Sequence, residues 1–128
     1  MGRQLLIGLL CMVVFGCSNT SPEELASLAA KGYYDHLING EYDHFLEGKI
    51  DADSIPKDYR EQLLTACKQF VVLQDREHHG IREVRISNAK TDTVDMVTNV
   101  FLVLCFGDST NEEIVVPMIQ RNGSWRMK

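Results

Sequence analysis

The chain has 128 residues, 45% of them hydrophobic and 24% charged, and a formal net charge of −5. That length supports one modest core and excludes a second domain, and the composition excludes a disordered or fibrous chain. The acidic balance, with no basic cluster or aromatic-basic stripe to offset it, repels phosphate backbones and argues against a nucleic-acid partner.

The first element is the apolar run "LLIGLLCMVVF" at residues 5–15. It is too short for a membrane-spanning helix, which needs roughly 18 or more apolar residues. The leading "MGRQ" with one positive charge, the apolar run and small Gly16 have the layout of a secretory signal. The residues "VVFGC" resemble a bacterial lipobox: aliphatic Val14, Phe15 as a less common occupant, small Gly16, then Cys17. That resemblance implies cleavage ahead of Cys17 and acylation, palmitate or a similar chain, on its sulfur. Residues 1–16 are therefore read as a lipoprotein signal peptide, 17–20 as the lipidated cysteine with a short tether, and 21–128 as the folded domain. The competing readings are an ordinary signal with a coincidental cysteine and an uncleaved anchor.

Each buried CH₂ of an acyl chain contributes about 0.8 kcal/mol, so two or three chains hold firmly where one would not. The tether reaches at most about 3.6 Å per residue, which keeps the domain close to the membrane. No aspartate follows Cys17. By resemblance to proteobacterial sorting rules, inner-membrane retention is not indicated, and the outer membrane of a Gram-negative envelope, on the periplasm, is the expected location. Loss of the signal, whose one charged side chain is Arg3, takes the formal charge from −5 to −6.

Once Cys11 leaves with the signal and Cys17 carries lipid, Cys67 and Cys105 remain. An oxidising compartment permits a disulfide between them, worth about 4 kcal/mol by loop entropy. Both lie in apolar runs, where free cysteine behaves as a small buried hydrophobe, so two reduced, buried thiols are expected.

The stretch "SPEE" starts a helix: Ser21 caps, Pro22 suits the first turn, and Glu24 stands three residues after the cap. Leu25, Leu28, Ala29, Gly32, Tyr33, His36 and Leu37 recur at three-to-four spacing and predict its apolar stripe, with Asn39 and Gly40 as the stop. "EYDHFLEG" gives one or two helical turns whose Tyr42, Phe45 and Leu46 dock on the core. Pro56 opens a second long helix, with Tyr59, Leu63, Cys67, Phe70, Val71 and Gln74 on one face, ending near His78 or His79 before Gly80.

Beyond Gly80 the period changes to two. Val84 and Ile86 mark a strand, "NAKTD" is expected to turn, and "MVTNVFLVLCF" is a long strand; both faces of Val100 to Phe106 are apolar, so it is expected to be central and covered on both sides over part of its length. "GDSTN" turns, "EEIVVPMIQ" is a strand in which Pro117 implies a bulge or an edge, and "RNGS" turns into "WRMK". Helices followed by strands predict an α+β class with segregated elements.

This order, the step Asn39, Gly40, Glu41, Tyr42, and the closing hairpin from Asn122 to Met127 resemble the NTF2-like superfamily. They are particularly similar to its secreted DUF4878-like lipoprotein branch. The resemblance implies an NTF2-like cone, N-terminal helices packed on a curved antiparallel sheet of about four strands. It further implies a pocket walled by the first helix and the long strand, in a superfamily of isomerases, dehydratases, ligand carriers and protein-binding modules. No acidic base of the isomerase type can be matched, and "VFLVLCF" carries no carboxylate.

Candidate chemistry is sparse. His78 and His79 point about 100° apart on a helix, so they do not share one ion, and no metal-ligand spacing or cofactor motif occurs. Glu41, Asp43 and His44 are acids and a histidine at a helix start, where acids meet the dipole. Trp125 is expected to close the cone. No nucleophile motif occurs, so no catalytic residue is assigned. "YYDH" is the best ligand-binding candidate: Tyr33, Tyr34 and His36 supply polar contacts in a mainly apolar pocket.

The leading reading is a membrane-anchored envelope lipoprotein whose domain binds a small apolar ligand or an envelope protein without catalysis. An acid-base enzyme of the same fold, or a structural subunit that forms a homodimer through its exposed sheet face, are the alternatives.

Overall fold

The computed structural model describes residues 20–128. The segment read as a signal peptide, residues 1–16, and Cys17 fall outside the described residues. Helix α1 spans Pro22–Ile38, α2 Tyr42–Glu47 and α3 Lys57–His78, with a short 3₁₀ turn at Ala52–Ser54 before α3. Strands β1 (Ile81–Asp92), β2 (Val97–Phe106), β3 (Asn111–Arg121) and β4 (Ser124–Met127) form one antiparallel meander in the order β1-β2-β3-β4. The expected α+β arrangement is present, with helices packed on a four-stranded antiparallel sheet.

Local chemistry explains the boundaries. The Ser21 hydroxyl accepts from Glu24 N–H at 3.1 Å, and Pro22 sits in the first turn, where its missing N–H costs nothing. Gly40 at φ +81° takes the chain out of α1. At the other end of the helical layer, His79 adopts the left-handed region at φ 60° and closes α3.

Helix α1 crosses one face of the sheet and touches all four strands. Its inward face is Ala26, Ala30 and Leu37; of the predicted stripe Leu37 is buried and Ala29 and Tyr33 pack against the core, whereas Leu25 and Leu28 are exposed and Ala26 and Ala30 take their place. Alanine is the reason: with only a methyl at 26 and 30, the helix backbone closes onto Val100, Leu102 and Met118, which a row of leucines would prevent.

One strand expectation is corrected. "NAKTD" does not turn; Asn88 to Asp92 continue β1 and pair with Phe101 to Val97, after a bulge between Ile86 and Asn88. The bulge adds one residue and resets which side chains face inward, so the period-two pattern breaks without ending the strand. The turn lies at residues 93–96, where Met96 has φ 57°.

Strand β2 is central, between β1 and β3, and is buried on both faces over part of its length, as at Leu104, Cys105 and Phe106. Between its ends, Phe101 and Val103 on the face away from α1 are half-buried, with no helix over them among the described residues. Pro117 lies toward the free edge, as predicted. Its carbonyl accepts from Lys128 N–H just where β4 ends, so its missing N–H points past the last strand. A parallel bridge from Lys49 to Met127 then ties the segment after α2 to β4.

Candidate functional site

An apolar cleft of about 300 Å³ opens among the three helices. From α1 come Tyr34 and Leu37; α2 and the residue two past its end give Phe45, Leu46 and Lys49; α3 lays Leu63, Ala66, Cys67 and Phe70 across the top. None of the 22 residues of α3 is fully buried, so this helix rests over the cleft instead of sealing it. The gap that a pocket between α1 and β2 would need is filled by Ala26, Ala30, Val100 and Leu102.

The structure separates the three residues of "YYDH". Tyr34 lines the cleft, its ring edge-on to Phe45 at 5.2 Å and 81°. Among the described residues its hydroxyl has no hydrogen-bond partner, and burial, with a smaller contribution from Cys67, pushes its pKa up. Tyr33 points away from the cleft: its hydroxyl donates to Trp125 carbonyl at 2.7 Å, and its ring lies so close to Gly48 that a Cβ there would fall 2.5 Å from Cδ1. His36 is on the surface, 2.8 Å from Glu41 and beside the His44 ring. The two tyrosines differ because adjacent helical positions are about 100° apart.

Cys67 and Cys105 are both free. Cys105 is buried, but Cys67 is only half-buried because it faces the cleft, which corrects the expectation of two buried thiols. Burial pushes the Cys67 thiol up, and the charge of Lys49 opposes that shift. Glu41, Asp43 and His44 disperse into three exposed pairs, with His36, Arg60 and Glu47 respectively. Trp125 packs against the core, and its indole N–H is buried without a partner. Among the described residues no cluster of ligating side chains suits a metal ion.

One pairing was invisible in the sequence. His78 Nδ1 lies 3.0 Å from Asp108 Oδ2, and the imidazole stacks on Phe106 at 4.2 Å. The Thr110 hydroxyl and, next, His78 hold the Asp108 carboxyl down at about 2. Around this pair, Gly107 N–H donates to Gly80 carbonyl and Asp108 N–H to His78 carbonyl, clasping the end of α3 to the β2–β3 turn. The residue types alone carried no signal; only the strand register brings "GDST" to the helix end.

A crystal structure from Campylobacter jejuni, named as an NTF2-like transpeptidase, superposes with a TM-score of 0.63 at 12% identity, covering 84% of this chain and 97% of that one. The fold is NTF2-like. No family model matches the chain, and no curated protein matches it. At this identity the likeness concerns the backbone arrangement alone.

Proposed function

We propose that this protein is a lipid-anchored envelope protein of the DUF4878-like kind, whose NTF2-like domain binds a small, mostly apolar ligand in the cleft under α3. The observation that carries the binding reading is the Tyr34 hydroxyl, which has no hydrogen-bond partner among the described residues and lies with Leu37, Phe45, Leu46, Leu63 and Phe70 in the lining of the cleft. Ligand pockets are built this way: apolar walls that contribute affinity and a few polar groups that fix orientation. Anchoring rests on "VVFGC" and acylation at Cys17. Catalysis gains no support from the cleft. No carboxylate or histidine lines it, and a thiol whose pKa is raised is a poorer nucleophile.

Native mass spectrometry of the protein isolated from envelope extracts tests the binding reading. A small molecule should accompany the wild type and be diminished in Tyr34→Phe at unchanged stability, whereas Tyr33→Phe should lower stability instead. Retention of the molecule in a Leu63→Trp variant, whose indole fills the cleft, would place binding elsewhere. For the anchor, Cys17→Ser should leave the protein unacylated and unprocessed or soluble.

A second reading is favoured by one feature. The sheet face opposite α1 carries Phe101 and Val103 beside Val115, which is 52% exposed, with no element over it among the described residues. Such a patch suits a second copy of the chain. A Val115→Lys substitution should convert a dimer to monomer by light scattering; a monomeric wild type sinks this reading and leaves the cleft reading untouched.

A further inference from the structure

Lys49 is the odd residue of the cleft. It is the one charged side chain in the cleft lining, it is half-buried, and among the described residues it makes no ion pair. A second, polar cleft of about 200 Å³ meets the first at this lysine and adds Arg121 and Arg126 against one acid, Asp53. The Lys49 charge reaches into the apolar cleft, where it opposes the rise of the Cys67 pKa, and an anion bound there would meet it in a setting that strengthens the attraction. Its place is set by the backbone: Ile50 N–H donates to Met127 carbonyl and Met127 N–H to Gly48 carbonyl, which fixes residue 49 between α2 and β4.

We infer that the ligand is an amphiphilic monocarboxylate, a free medium-chain alkanoate, with its chain between Phe45, Leu63 and Phe70 and its carboxylate on Lys49, within reach of the Tyr34 hydroxyl. This rests on the cleft-binding reading above and assigns that ligand its chemical class. The cleft volume is at the small end of the roughly 300–1,000 Å³ typical of ligand pockets, which suits one short chain and excludes a two-chain phospholipid. The ammonium only donates and the phenol can donate, so an acceptor head satisfies both, and the ammonium selects a charged one.

Cys67 supplies a reporter inside the cleft. In membranes bearing the full chain, the alkylation rate of Cys67 is followed by peptide mass spectrometry while decanoate or decan-1-ol is added, each rate being referred to the same variant without ligand. Decanoate should protect Cys67 at concentrations at least tenfold below those needed with decanol. Lys49→Met should abolish that preference and Lys49→Arg restore it.

Equal protection by acid and alcohol in the wild type overturns the carboxylate assignment and leaves an apolar-ligand cleft standing. Preference surviving in Lys49→Met overturns the role of Lys49. Protection by neither compound overturns the alkanoate and, if an envelope extract also gives none, the cleft-binding reading with it.

Discussion

Helix α1 buries Ala26 and Ala30 completely against the sheet, whereas α3, the longer of the two, buries none of its residues fully and exposes Val72 and Leu73. Both have an apolar stripe at helical spacing. The difference lies in side-chain size and in what lies beneath. Small residues let α1 settle on a continuous apolar surface, while α3 spans the gap between α2 and the end of β1 and reaches the rest of the domain through bulky side chains that bridge a cleft. Tight packing supports the fold, and loose packing over a cavity leaves room for a ligand.

The sharpest way to break that contrast is paired truncation. Leu102 is fully buried beneath α1, and Leu102→Ala should cost about 2–5 kcal/mol in urea unfolding. Leu63→Ala in α3 removes the same atoms from a wall that is already half open. It should cost well under half as much; equal costs would show that α3 is packed as firmly as α1.

Next in size is the clasp at the end of α3. A Cβ on Gly107 would strike the backbone carbonyl of His79, and a backbone atom cannot swing aside as the tip of a side chain can. Gly107→Ala should therefore destabilise by about 1–3 kcal/mol, the usual cost of overpacking. Hydrogen exchange should rise mainly in the last turns of α3, with the α1 amides little changed relative to the global value.

A pH experiment addresses the same clasp. The Asp108 carboxyl is held at about 2, below the roughly 3.9 of an unfolded aspartate. A depressed carboxylate stabilises the fold above its unfolded value, and that contribution is lost as pH falls through about 2. Wild type should exceed Asp108→Asn in urea midpoint near pH 5, and the gap should narrow as pH falls from about 4 to 2. A gap that does not change with pH would mean that the asparagine keeps the hydrogen bonds of Thr110 and His78 on its own.

Much of the fold was legible because it depends on local rules. Ser21, Pro22 and Gly40 mark α1, the change of period after Gly80 marks the sheet, and Pro117 marks an edge. What was not legible depends on three-dimensional register. The bulge after Ile86 hid the second half of β1, the alanines of α1 outcompeted its leucines for the sheet, and His78 met Asp108 only through the turn between β2 and β3. The "YYDH" segment was readable as a place where a tyrosine enters a pocket, but not which tyrosine. That choice follows from Tyr33 being held by Trp125 on one side and Gly48 on the other.

The smallest effect on stability comes with a larger one on access. Arg60 of α3 reaches Asp43 of α2 at 3.1 Å, an ion pair whose aspartate is mostly exposed. Exposed pairs contribute about 0–1 kcal/mol, so Asp43→Asn should scarcely move the unfolding midpoint. Yet this pair lies near the start of α3, at the end opposite the Gly107 clasp, and ties that end to α2. Because the Cys67 thiol beneath α3 reacts only as far as the helix lifts or the cleft admits reagent, loosening the pair should raise its alkylation rate several-fold. Cys105, buried in β2, should stay unreactive until the protein unfolds. A Cys67 rate unmoved by Asp43→Asn, with Cys105 silent, would mean that the cleft admits the reagent with α3 at rest, and that the mouth beside Lys49 is its entrance.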